Sequence, residues 1–105
     1  MRARQVMLAL AVALPMTPGQ GQEIGHASRG LALAERPCAD CHAIQKEYAR
    51  SANANAPRFQ AIASTPGMTA MALAAALNTS HHSMPNIVLA ADEQADIIAY
   101  ILSLK

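Results

Sequence analysis

Apolar residues are spaced along this chain in two different ways. Near the start they run unbroken from Val6 to Leu14, behind the basic Met1 to Arg4 and ahead of Pro15 and the Gly/Gln-rich Pro18 to Gln22. From Glu23 onward they recur at steps of three and four, the pattern of helices that bury one face. Ile24, Ala27, Leu31 and Ala34 draw a narrow stripe on a helix expected over Glu23 to Glu35, with Gly30 beside it and Pro37 to end it. A glycine in mid-helix costs up to ~1 kcal/mol relative to alanine, so Gly30 implies that another backbone or ring packs closely there.

Ala43 to Tyr48 reads as a further helical turn, and Ser51 to Ala56 as loop. Phe59, Ile62 and Ala63 make a short apolar step before Ser64-Thr65-Pro66-Gly67 breaks the chain again. Thr69 is placed to cap a helix through Leu77, with Met71, Leu73, Ala74 and Leu77 turned inward and Asn78 as its stop. A polar loop, Thr79 to Ser83, leads into Met84-Pro85-Asn86. The last helix has Asp92 and Glu93 in its first turn and Lys105 at its end, which suits the helix dipole. Its inward residues are Ile97, Ile98, Tyr100, Ile101 and Leu104. No strand-like alternation and no internal repeat interrupts this pattern, so the expected class is all-α, in one domain.

Basic, apolar, then small and polar is the order of a secretory signal, and the Val6 to Leu14 run falls well short of the ~20 residues that span a bilayer. Residues 1–21 are therefore expected to be a signal peptide, cut near Gly21 or Gln22, with no transmembrane anchor. Residues 22–105 form the mature domain. Its roughly 84 residues support only marginal stability by apolar burial alone. The chain is 52% apolar but has no Trp, two Tyr and one Phe; a large flat apolar cofactor would fill the space that aromatics usually take.

The formal charge of the mature part is about −1, which argues against nucleic acid as a partner. Arg29, Arg36, Lys46, Arg50 and Arg58 gather around residues 38–42, while Asp92, Glu93 and Asp96 cluster near the C-terminus. A mild basic patch of this kind can steer a docking partner, but a solvated surface is the plainer reading of both groups. His26 reads as a surface helix residue.

Cys38-Ala39-Asp40-Cys41-His42 is the stretch that carries chemistry. C-x-x-C-H is the spelling of covalent c-type haem attachment. On a helical turn residues three apart share a side, so both thiols can reach one edge of a porphyrin while the His42 imidazole takes an axial position on the iron. A simple disulfide would suit an exported chain with two cysteines but leaves His42 unexplained. A thioredoxin-like redox pair would need a βαβ setting that is missing, and a zinc site would need a remote histidine to converge on Cys38, Cys41 and His42. A second axial ligand is sought among Met68, Met71, Met84, His81 and His82. Met84 is best placed, because Pro85 holds it extended and outside a helix.

From Gly30 to Leu104 the chain resembles a small class I bacterial cytochrome c. The resemblance rests on Arg29-Gly30-Leu31, Cys38 to His42, Ala56-Pro57-Arg58-Phe59, Ser83-Met84-Pro85-Asn86 and Asp96-Ile97-Ile98-Ala99-Tyr100-Ile101, in the family's order and with family-like spacing. It implies about four short helices around one covalently attached haem, with the first and last helices crossing where Gly30 and Ala34 meet Ile97 and Tyr100. It implies thioethers at Cys38 and Cys41, His42 as proximal and Met84 as distal ligand, and a hydrogen bond from the other His42 nitrogen to the Pro57 carbonyl. Two positions depart from the family: Ala34 stands where an aromatic is common, and Ala90 where Thr or Ser caps the last helix.

The function so implied is electron transfer by a periplasmic monomer that is not an enzyme, with redox proteins (a dehydrogenase, an oxidase or another cytochrome) as donor and acceptor. Two alternatives are a haem subunit of a dehydrogenase or oxidase complex, and a haem enzyme or gas sensor with a labile sixth ligand, for which His81 and His82 are the relevant residues.

Overall fold

The computed structural model describes residues 12–15, 24–81 and 83–105. Apart from residues 12–15, the expected leader 1–21 lies outside the described residues, as does His82. Four helices follow in order: α1 (Ala27–Ala34), α2 (Phe59–Ala63), α3 (Ala70–Leu77) and α4 (Ala91–Leu102), with a single 3₁₀ turn at Cys38–Asp40. There is no strand among the described residues, and the class is all-α as expected. No helix among them is long and apolar enough to cross a membrane.

α4 is the spine of the core. Its buried face is Ile97, Ile98, Tyr100 and Ile101, continued by Leu104, and α1 packs on it more extensively than any other helix. The backbones touch because the side chains at the crossing are missing. A Cβ on Gly30 would lie 2.0 Å from the Asp96 carbonyl oxygen and 2.7 Å from Tyr100 Cβ. Gly30 has the close-packing role that its position suggested. Gly25 does the same one step earlier, where a Cβ would fall 1.9 Å from the Ala95 carbonyl oxygen. The small Ala34 is fully buried in this junction.

α1 begins at Ala27, later than the stripe suggests. His26 is extended (φ −110°, ψ 114°), and its N–H donates to Asp96 Oδ1 at 2.7 Å instead of entering a helix. Ile24 therefore lies outside the helix and is 89% exposed. Asp96 itself corrects the reading of the acidic cluster as solvated surface, since it is only 5% exposed. Besides the His26 N–H it accepts from Arg29 Nε at 3.0 Å and Nη2 at 3.3 Å, and Arg29 Nη2 also donates to His26 Nδ1 at 2.7 Å. The His26 N–H and then the Arg29 guanidinium hold the Asp96 carboxyl below the usual carboxylate range, against a burial effect that raises it. Thus α4 supplies the N-terminal acceptor that α1 lacks in its own sequence.

The helical turn expected over Ala43–Tyr48 does not form. The Ala43 N–H donates to Ser51 Oγ at 3.0 Å, the Ala43 carbonyl accepts the Phe59 N–H at 2.9 Å, and the Ile44 carbonyl accepts the Tyr100 hydroxyl. These distant partners occupy the backbone groups that a helix would use, and they bury Ala43 and Ile44.

α3 starts where expected, with Thr69 Oγ1 accepting the Ala72 N–H at 3.1 Å. At its far end Asn78 Nδ2 donates to the Ala74 carbonyl at 2.8 Å and to Gln94 Oε1 at 2.9 Å, so the stop residue also ties α3 to α4. Met71 is 73% exposed, not inward: it projects from the side of the helix away from buried Leu73. Ala90 has no side-chain acceptor for the α4 N-terminus, which keeps only the reciprocal bond from the Ala90 N–H to Glu93 Oε1 at 3.2 Å. Lys105 lies beyond the last turn of α4, and its ammonium donates to the Met68 carbonyl at 3.1 Å rather than to the helix end.

Candidate cofactor site

Pro37 hands the chain from α1 to one tight turn. The N–H groups of Cys41 and His42 both donate to the Cys38 carbonyl, at 3.2 and 2.9 Å. The 3₁₀ turn runs from Cys38 to Asp40 and Cys41 closes it, so the turn brings both cysteines to the same cavity. Both are half-buried, and they are not joined in a disulfide. Burial pushes the Cys38 thiol above its ordinary range; its own backbone N–H pulls the other way, and the Asp40 carboxylate adds to the rise.

His42 is fixed from behind. Its Nδ1 lies 2.6 Å from the Pro57 carbonyl oxygen. A carbonyl can only accept, so the proton is on Nδ1 and the lone pair is left on Nε2. The Phe59 ring lies against the imidazole, with centroids 5.4 Å apart, and Tyr100 backs Phe59 at 6.4 Å. The Asn53 N–H secures the turn through the Cys41 carbonyl at 3.0 Å.

Cys38, Cys41, His42, Pro57 and Met84 all line one cavity of about 900 Å³. Its apolar wall comes from α2, α3 and α4 through Phe59, Ile62, Leu73, Leu77, Ile97 and Ile101. Met84 reaches it from the irregular segment between α3 and α4, where its N–H donates to the His81 carbonyl at 3.2 Å. Of the other ligand candidates, Met68 packs against the core and Met71 faces outward, and neither lines the cavity. His81 does line it, with Nδ1 2.9 Å from the Thr79 carbonyl oxygen. His82 lies outside the described residues.

The residues fit a haem. The space is at the upper end for a small-molecule site and mostly apolar, with a few convergent polar groups, as a large flat ring requires. The donors are two thiols, one imidazole nitrogen of fixed tautomer and one thioether, a set suited to covalent attachment and to iron. No group of three or more His, Cys, Asp or Glu among the described residues is arranged to hold a metal ion.

Several residues of the site were not singled out from sequence. Asn53, Asn55 and Thr79 add polar groups to the cavity wall; as loop residues of ordinary composition they carry no periodic signal. Phe59 was placed on an apolar step, but its contact with His42 spans a turn and a loop that local spacing does not report.

Compared with known proteins, the chain is 37% identical over 102 residues to the cytochrome c-552 of Bradyrhizobium diazoefficiens, an alignment that covers 97% of this chain and 94% of that relative. No family model and no solved structure matches it.

Proposed function

The chain belongs to the small c-type cytochromes, and from that premise we propose that it carries one haem, bonded through Cys38 and Cys41, and shuttles single electrons between redox proteins. Haem-based electron transfer follows from the family; the site residues, the single haem and the kind of partner are the proposal. What supports it most is the convergence of both thiols, His42 and Met84 on one cavity.

Bound there, the haem supplies an iron that cycles between ferric and ferrous. The chain's own residues have separable tasks. Cys38 and Cys41 would hold one edge of the haem through thioethers, and His42 would offer the iron its Nε2 lone pair. Pro57 keeps the His42 proton on Nδ1, which orients the ring and raises its basicity. Met84 would offer a thioether sulfur, a soft donor that would favour the reduced iron and so raise the potential. Ile62, Leu73, Leu77, Ile97 and Ile101 exclude water from the ring, which leaves little solvent to reorganise when the charge changes. If His42 and Met84 both held the iron, they would leave no position on it for a substrate, as suits a carrier.

The proposal extends to export: residues 1–21 direct the chain to the periplasm and are removed, and the mature domain works there as a monomer. N-terminal sequencing of the exported protein tests this, with a start near Gln22 expected.

The decisive experiment is the spectrum and intact mass of protein made with a competent haem-attachment system. One covalent haem per chain is expected, together with the far-red absorption band of ferric iron bonded to methionine sulfur. That band should vanish in Met84→Ala. Protein that matures without covalent haem sinks the attachment, and a wild-type spectrum lacking the band sinks Met84.

A further inference from the structure

The proposed centre uses one histidine of a cavity that is lined, among the described residues, by two. We propose that His81 is a second axial donor, held in reserve for the position that Met84 fills; the inference rests on the haem reading above. His81 lies at the cavity wall, and its Nδ1–H donates to the Thr79 carbonyl at 2.9 Å. As with His42 and Pro57, a carbonyl partner fixes the proton on Nδ1 and leaves the Nε2 lone pair available. The two imidazoles that line the cavity are therefore in the same ligand-ready tautomer.

His81 and Met84 are also mechanically linked. The Met84 N–H donates to the His81 carbonyl at 3.2 Å, so both side chains project from one turn. The bonds that hold this turn are short-range. Thr79 Oγ1 donates to the Ala75 carbonyl at 2.6 Å and Ser80 Oγ to Asn86 Oδ1 at 3.0 Å. Among the described residues no hydrogen bond ties residues 80–89 to α1, to α4 or to the segment 36–58. A rotation of the turn that withdraws the sulfur and brings in the imidazole leaves the His42 wall and the helix crossing intact.

Donor chemistry gives the exchange its direction. Thioether sulfur is soft and favours ferrous iron, whereas imidazole nitrogen binds ferric iron well. Loss of the Met84 sulfur should therefore convert the centre to a bis-imidazole one of lower potential, with its sixth position still closed.

The test uses haem-loaded protein carrying Met84→Leu, which keeps the side-chain volume but removes the donor, with Met84→Ala as a second variant in case the first loads poorly. Each is combined with His81→Ala and, separately, with His82→Ala. Electron paramagnetic resonance, the visible spectrum and the rate of carbon monoxide binding are the readouts. Met84→Leu should remain low-spin without the far-red band and resist carbon monoxide. The Met84→Leu/His81→Ala protein should turn high-spin and bind carbon monoxide at least tenfold faster, while the His82→Ala combination stays low-spin. A Met84→Leu protein already as open as the His81 double variant overturns the inference, as does opening by His82→Ala instead. Wild-type protein without the far-red band is a separate outcome: it overturns the Met84 assignment itself and with it any reserve role.

Discussion

The two sides of the cavity are held in unlike ways. His42 stands on the side braced through the whole fold: Pro57 holds its ring, Phe59 and Tyr100 back it, and the Tyr100 hydroxyl fastens the adjoining Ile44 carbonyl to α4. α4 is in turn locked to α1 by two glycines and by Asp96. Met84 enters the same cavity from an irregular segment whose hydrogen bonds, among the described residues, reach only a few residues along the chain. The difference separates two jobs. Stability and the orientation of His42 reside on the braced segment, so the proposed exchange at Met84 would leave the fold intact.

Breaking the braced side at its back should have the largest effect. Gly30→Val places a branched side chain where even a Cβ would lie 2.0 Å from a backbone oxygen that cannot step aside. The loss should exceed the ~3 kcal/mol that ordinary overpacking costs. Urea unfolding measures it; a variant of near wild-type stability would show that the crossing is not rigid.

Removing the ring behind His42 comes next. Phe59→Ala empties a buried position that touches both His42 and Tyr100, and ~3–5 kcal/mol should be lost. The same variant should disturb the His42 environment in the spectrum, which a merely distant cavity would not do.

Asp96 sharpens the comparison through pH. Its carboxyl is depressed in the folded state, foremost by the His26 N–H and then by Arg29, so the charged form is favoured by folding. That contribution is complete above the ordinary carboxylate pKa and disappears as pH falls through the lower folded value. The stability advantage of wild type over Asp96→Asn should therefore shrink on acidification, read as converging denaturant midpoints. Parallel curves would mean that the clamp does not depend on the charge.

The smallest effect should come from the loose side. Val88 is 95% exposed, and Val88→Ser should change unfolding free energy by less than ~0.5 kcal/mol. A larger loss would mean that this segment is more firmly seated than its hydrogen bonds indicate.

What could be read in the sequence follows the same division between near and far. The cap at Thr69, the stop at Asn78 and the inward face of α4 depend on neighbours within one or two turns, and each is where periodicity puts it. The Cys38–His42 turn and Met84 stand out in the sequence by residue type and spacing rather than by periodicity, and the fold brings them to one cavity. Asp96 was misread because its partners His26 and Arg29 lie 70 and 67 residues away; beside Asp92 and Glu93 it looks like one more surface charge. The same distance hides why Ile24 is outside the helix and why Ala43–Tyr48 is not one. In each case a remote carboxylate, hydroxyl or backbone group takes bonds that local propensity would assign to a neighbour.

The crossing of α1 and α4 also sets an order in time. The helix that closes the fold is the last to be made, roughly fifty residues after the Cys38–His42 turn. Until α4 arrives, Ile97 and Ile101 form no wall, Tyr100 fastens nothing and Asp96 holds no helix, so the proposed haem attachment at Cys38 and Cys41 would meet an open site. Under the proposed function the domain would shut behind its cofactor, and the contacts that make the finished site rigid are those whose late arrival would leave it open for filling.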